Sequence, residues 1–171
     1  MPFSSVKPKN IRILGIDPGF GRVGFGIIEG SKTTWKPVVY GCIETDPKKT
    51  LVERLVDISD ELNRIIKKYQ PTMSAVEELF FAKNVTTAMS VGQARGVILL
   101  SLCQAKLPIY EYTPNEVKQA ITGFGRADKQ QVQRMVQVLL QLKNIPKPDD
   151  AADALGVALT CGACVRIENK E

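Results

Sequence analysis

The run Ile11-Arg12-Ile13-Leu14-Gly15-Ile16-Asp17-Pro18-Gly19, followed at once by Phe20-Gly21-Arg22-Val23-Gly24-Phe25-Gly26-Ile27-Ile28, constrains the fold more than any other stretch. An apolar segment rich in β-branched residues ends in a lone carboxylate, Pro-Gly turns the chain, and a second apolar run returns. This pattern predicts a strand, a tight turn and an antiparallel partner strand. Asp17 stands at the exit of a strand that reads as buried on both faces. A carboxylate there either accepts hydrogen bonds from the turn or serves as a ligand for something held above the sheet edge.

Lys32 to Ile43 predicts a third strand that completes a meander, and Pro37 within it calls for a sheet edge or a bulge. Thr50-Leu51-Val52-Glu53 is a capping box. Leu55, Ile58, Leu62, Ile65 and Ile66 then recur at helical spacing to about Tyr69, ahead of Pro71. The segment Thr72 to Phe81 begins as a strand after this crossover helix, so it must run parallel to a strand of the meander. The first strand is the natural partner, which sets a glutamate beside Asp17. Alternation puts Glu77 and Glu78 on opposite faces and leaves open which of them faces the site.

Lys83 to Lys106 predicts a long helix with Asn84 as its cap. Ala88, Gly92 and Gly96 lie four apart on one side of it, and glycine weakens a helix interior. Small residues there fit a close backbone approach, either by the protein's own sheet or by the same helix of a second copy. Leu107 to Tyr112 is a short strand. Thr113-Pro114-Asn115-Glu116 is a capping box with proline at the first helical position, and that helix ends near Gly123. Asp128 with Gln131 caps the next helix. Between the two, Gly123-Phe124-Gly125-Arg126-Ala127 reads as a mobile cationic loop. Lys118, Arg126, Lys129 and Arg134 make this region a candidate phosphate surface, with solvated helix faces as the bland alternative.

After Pro146-Lys147-Pro148 comes a last helix, which Asp149 can cap, and in which Asp150 and Asp153 share one face. Acids belong at a helix N-terminus on electrostatic grounds alone. This helix is otherwise almost wholly apolar, however, so it packs on the core and carries the two acids toward the sheet edge. Asp17, the glutamate at 77 or 78, Asp150 and Asp153 would then converge. Four such carboxylates repel one another and are poorly solvated unless a divalent cation sits among them. Hard oxygen donors without histidine or cysteine suit Mg²⁺ or Mn²⁺. Two such ions about 3.5–4 Å apart are a common device for in-line displacement at phosphorus.

Composition sets the outer bounds. The chain has 171 residues, 44% of them hydrophobic and 24% charged, which fits one domain spanning 11–171 behind a loose polar tail at 1–10. The start of the chain lacks the apolar core of a signal peptide and no run approaches a membrane span, so a cytoplasmic location and no membrane partner are expected. Lys and Arg number 23 against 18 Asp and Glu, and the resulting +5 charge is permissive for nucleic acid. Cys42 and Cys103 lie in apolar segments and read as small core residues. Cys161 and Cys164 have C-x-x-C spacing, but with no histidine and no second pair they make no zinc site.

Gly15-Ile16-Asp17-Pro18-Gly19, Ala75-Val76-Glu77, Phe80 through Asn84, Gly92-Gln93-Ala94-Arg95-Gly96 and Asp150-Ala151-Ala152-Asp153-Ala154-Leu155 together resemble the RuvC family of bacterial Holliday-junction resolvases. The resemblance runs in order from about Ile11 to about Ala163. It implies a ribonuclease H-like fold, with a five-stranded mixed sheet flanked by helices. It also implies a homodimer that cuts two strands of a four-way DNA junction at symmetric positions, and a branch-migration helicase as a further partner. By position it implies Asp17, Glu77, Asp150 and Asp153 as the catalytic and metal-binding acids, which selects Glu77 over Glu78. Two Mg²⁺ ions per subunit are implied with them, and Mn²⁺ as a substitute. Phe80 matches an aromatic residue held near the DNA, Lys118 and Lys129 match lysines along the DNA path, and the helix after Asn84 matches the dimer helix. Some members carry a histidine near the end of the acidic set, and this chain does not. An actin-like or sugar-kinase-like phosphotransferase would share the first motif but needs a second, duplicated domain. A non-catalytic junction-binding module would have no use for the complete acidic set.

Overall fold

The computed structural model describes residues 11–31, 34–79 and 85–165. Five strands, β1 (Ile11–Asp17), β2 (Arg22–Ser31), β3 (Thr34–Glu44), β4 (Met73–Glu77) and β5 (Ile109–Tyr112), form one sheet in the order β3-β2-β1-β4-β5. The meander is antiparallel, whereas β4 runs parallel to β1 and β5 parallel to β4. The mixed sheet expected from the crossover helix is therefore present. Pro37 meets both of its structural allowances. It lies on the edge strand β3, and the register there skips Val38, since Ile27 pairs with Val39 and Ile28 with Pro37.

Helices α1 (Leu51–Tyr69) and α2 (Val85–Gln104) cover one face of the sheet; α3 (Pro114–Thr122), α4 (Lys129–Leu139) and α5 (Asp149–Cys164) cover the other. The capping boxes at Thr50, Thr113 and Asp128 are all formed. Strand alternation divides the core into two. Leu14, Ile16 and Val76 pack with Ile58, Leu62, Ile98 and Leu102 of α1 and α2. Ile13 and Ala75 pack with Leu155 and Ala158 of α5. Period two then carries Asp17 and Glu77 onto the α5 face, and the pairing of Ile16 with Val76 sets them side by side at the exits of their strands.

Helix α5 lies unusually close to the sheet, because glycines face it. A Cβ on Gly15 would collide with the carbonyl oxygen of Ala154 and stand 2.6 Å from the amide nitrogen of Ala158. One on Gly24 would collide with the carbonyl oxygen of Asp150. This close approach brings the first turn of α5, with Asp150 and Asp153, to the end of β1.

Several local expectations need revision. Asp149 does not cap α5; Pro148 holds that position without a side-chain bond, and Asp149 is the first helical residue. Cys103 is exposed on α2 and Cys42 is half-buried beside Asp150, so neither is a core residue. Cys103 is on a side of α2 turned from the core, whereas Cys42 faces the first turn of α5 at the margin of the sheet, beside Asp150. The 123–127 loop is tied down. The Phe124 amide donates to the Thr122 hydroxyl (3.1 Å), the Gln119 side chain to the Gly123 carbonyl (2.9 Å) and the Ala127 amide to the Phe124 carbonyl (3.0 Å). Helix α2 buries Ala94, Ile98 and Leu102, whereas nothing stands within 4 Å of where a Cβ on Gly92 or Gly96 would project. Packing on the protein's own sheet is therefore not what these glycines serve. Phe80, Phe81 and the expected cap Asn84 lie outside the described residues, among which no helix is long and apolar enough to cross a membrane.

Gly15→Val should force α5 away from β1. We expect a loss of about 3 kcal/mol or more in unfolding free energy, measured by chemical denaturation, since overpacking against backbone has no side chain to yield.

Candidate active site

Asp17 and Glu77 each stand one residue beyond the last β1–β4 register pair, on the face that α5 covers, and their carboxyl groups hydrogen-bond to each other. Burial first, and then the charges of Glu77, Asp153 and Asp150, push Asp17 up to about 8. Burial also raises Glu77, against the pull of its bond to Asp17 and of the Lys118 and Lys129 charges. Desolvation and mutual repulsion thus both disfavour full ionisation of the pair. Asp153 is raised by burial too, opposed by its hydrogen bond to Lys129.

The first turn of α5 is met by cations. Lys129 Nζ lies 2.9 Å from Asp153 Oδ2 and 3.8 Å from Asp149 Oδ2, while Lys147 Nζ lies 2.8 Å from Asp149 Oδ1. On the meander side, Arg22 Nη1 is 4.0 Å from Asp150 Oδ2, and the Cys42 thiol points at the same oxygen from 3.9 Å. A cleft of about 240 Å³ opens between α3, α4 and the acids. Glu77, Lys118, Lys129 and Asp153 form its polar part, and Pro114, Val117 and Val132 its apolar wall.

The structure thus brings Asp17, Glu77, Asp150 and Asp153 to one sheet edge. Glu78 is exposed and lines a separate groove with Gly92, Arg95 and Glu111. Lys118 and Lys129 line the acidic cleft, whereas Arg126 and Arg134 are exposed, in the loop and on α4. Phe80 lies outside the described residues. Sequence reasoning missed Arg22, Cys42 and Lys147. The first two were accessible from hairpin register: Asp17 opposes Gly24, Gly24 opposes Cys42, and Arg22 is two residues before Gly24, so all share one face. Lys147 was legible as a neighbour of Asp149, two residues away.

An all-oxygen donor set, buried and mutually repelling, fits a hard divalent cation. Among the described residues no three acidic or thiol groups are already gathered as a cation cage. Of the cations among the described residues, the Lys129 ammonium is the one in hydrogen-bond contact with the set, at Asp153.

The family model described as crossover junction endodeoxyribonuclease RuvC matches residues 13–161. The crossover junction endodeoxyribonuclease RuvC of Brevibacillus brevis is 52% identical over 150 residues, 88% of this chain and 90% of its own length. That of Desulfitobacterium hafniense is 53% identical over 158 residues, 92% of this chain and 96% of its own. Among solved structures, Thermus thermophilus RuvC in complex with a Holliday junction substrate superimposes with a TM-score of 0.83 at 35% identity, covering 88% of this chain and 92% of that one. The sheet order and flanking helices are accordingly those of the ribonuclease H-like fold.

The protonated Asp17 makes a stability prediction for the metal-free protein. Its unfolded-state value is near 3.8 and its folded value near 8, so between those limits the folded chain keeps a proton that the unfolded chain has lost. Stability must therefore fall as pH rises through that window. Asp17→Asn should melt at a higher temperature than wild type at about pH 8.5, with the gap closing toward pH 4, in thermal melts with a chelator present.

Proposed function

The chain belongs to the RuvC family of crossover junction endodeoxyribonucleases, and on that premise we propose that Asp17, Glu77, Asp150 and Asp153 are its catalytic acids and the ligands of two Mg²⁺ ions per subunit, replaceable by Mn²⁺. The activity is that of the family: the enzyme resolves four-way DNA junctions by hydrolysing phosphodiester bonds, in recombination and repair. The observation that carries the site assignment is the convergence of the four acids at the exits of β1 and β4, beneath the first turn of α5.

Divalent ions bound there would ready a water for in-line attack at phosphorus and stabilise charge on the leaving oxygen. The protein's own share of the work divides by element. Asp17 and Glu77 stand one residue beyond a paired register position, so the sheet holds their backbones side by side. Asp150 and Asp153 are held by α5, whose position Gly15 and Gly24 determine. Lys118 and Lys129 at the cleft, with Arg126 on the loop, favour a phosphate backbone that the acids alone would repel. Pro114, Val117 and Val132 dry one wall of the cleft, which strengthens each of these electrostatic contacts. Phe80 is proposed, from the resemblance alone, to contact the DNA near the junction, and a branch-migration helicase as partner has the same basis.

The enzyme is proposed to act as a homodimer through α2, with Ala88, Gly92 and Gly96 at the contact. Two features support this reading: the open space over Gly92 and Gly96, and the exposure of the large apolar residues Met89 and Leu100 on the same helix. A four-way junction offers two equivalent strands, and a two-fold symmetric enzyme matches it with one site per subunit.

Incubation with a synthetic four-way junction, in Mg²⁺ and then in EDTA, tests the assignment directly. Wild type should cut only with the metal, whereas Asp17→Asn should bind the junction at least as well and cut it roughly a hundredfold more slowly or worse, the loss of several kcal/mol of charge stabilisation. Cutting near the wild-type rate in saturating Mg²⁺ would make Asp17 a turn residue.

Gly92→Leu should yield a folded monomer that nicks junctions rarely and almost never makes paired cuts. Sedimentation and circular dichroism, read beside the cleavage assay, check it. A folded monomer with full paired cleavage would refute the dimer mechanism.

A further inference from the structure

Four charged groups alternate in sign across the mouth of the acidic cleft: Lys147, Asp149, Lys129 and Asp153. Lys147 holds Oδ1 of Asp149 at 2.8 Å, which leaves Oδ2 of the same carboxylate turned to Lys129. Lys129 lies closer to Asp153, at 2.9 Å, than to Asp149, at 3.8 Å. Its side chain is 54% exposed on a long, flexible stem at the start of α4, and that of Asp153 is 25% exposed. The ammonium thus sits on the acid deeper in the cleft, with a second carboxylate one short step outward.

A dication coordinated by Asp153 and an ammonium bonded to the same carboxylate would repel each other across a few ångströms in a partly dry site. One of them has to leave. Resting on the reading of the four acids as metal ligands, we propose that Lys129 is an internal counter-ion that occupies Asp153 in the metal-free protein, and that Asp149 is the positioning residue that receives it when a divalent cation enters. Lys147 has the supporting part of holding the Asp149 carboxylate at the rim. The exchange delivers the Lys129 ammonium to the outer edge of the cleft, where a DNA phosphate would lie, only once the cation is in place. Metal loading and phosphate binding are thereby coupled through one side chain.

Mn²⁺ binding to the metal-free, full-length protein without DNA, followed by the electron paramagnetic resonance signal of free Mn²⁺, tests this independently of cleavage. Lys129→Met should bind Mn²⁺ on the order of tenfold more tightly than wild type, since no charge-assisted hydrogen bond has to be broken first. Asp149→Asn should weaken binding severalfold when Lys129 is present, because the displaced ammonium loses its second carboxylate, and should have no effect in the Lys129→Met background. No gain in Lys129→Met overturns the counter-ion. Equal weakening by Asp149→Asn in both backgrounds makes Asp149 a direct electrostatic contributor and overturns its positioning role. In a ¹⁵N-lysine-labelled sample, the side-chain signal that is missing from Lys129→Met should shift on addition of Mg²⁺; a signal that stays fixed at saturation overturns the exchange. Failure of the underlying reading looks different: Asp17→Asn and Asp153→Asn would then both bind Mn²⁺ as wild type does.

Discussion

Everything at the site depends on how closely α5 lies against the sheet. The glycines at 15 and 24 leave no side chain between the strands and the helix backbone, so the first turn of α5 comes to rest at the exit of β1. Two acids arrive on a helix and two on parallel strands, from three separate parts of the chain. A spacing wider by one side chain would place Asp150 and Asp153 in solvent, as ordinary first-turn acids favoured by the helix dipole. The same residues at the shorter distance become a partly buried cluster whose charges oppose one another.

Such a cluster carries an electrostatic cost that the metal-free fold offsets locally. Asp17 and Glu77 hydrogen-bond to each other, Lys129 sits on Asp153, and Arg22 approaches Asp150 from the meander. The two cations come from different elements, Lys129 from α4 and Arg22 from β2, so the charge balance is itself a tertiary property. A cation entering the site would replace these compensations rather than add to them, which ties metal affinity to residues outside the acidic set.

The two faces of the sheet are used differently. On the α5 side, a cleft with an apolar wall and a cationic margin leads to the acids. On the other side, α2 buries Ala94, Ile98 and Leu102 and turns Gly92, Gly96, Met89 and Leu100 outward, so it is apolar on more than its core-facing side. A helix of that kind is suited to a second packing partner. The loop between α3 and α4 joins the two lysine-bearing helices and is tied by Thr122 and Gln119, so the lysines are presented from a supported hairpin.

Much of this was legible along the chain, because the signals involved are local. Period-two and period-3.6 patterns, three capping boxes, Pro37 at an edge and the crossover from α1 to β4 each depend on residues a few positions apart. They determined the elements, the parallel partnership of β4 with β1, and the shared face of Asp150 and Asp153. What they could not decide was anything requiring two elements to be placed against each other. Alternation alone left Glu77 and Glu78 equivalent; the strand register put Glu77 beside Asp17 and Glu78 outside. Helical spacing alone left Gly92 and Gly96 facing either the sheet or a partner; the rotation of α2 on the core turned them outward. Composition drew Cys103 inward, and the same rotation exposed it. The pairing of Lys129 with Asp153 follows from where α4 lies against α5 in space. Local periodicity is written in neighbours along the chain, whereas charge pairing depends on register, rotation and the depth of helix docking, and those are set only when the whole core closes.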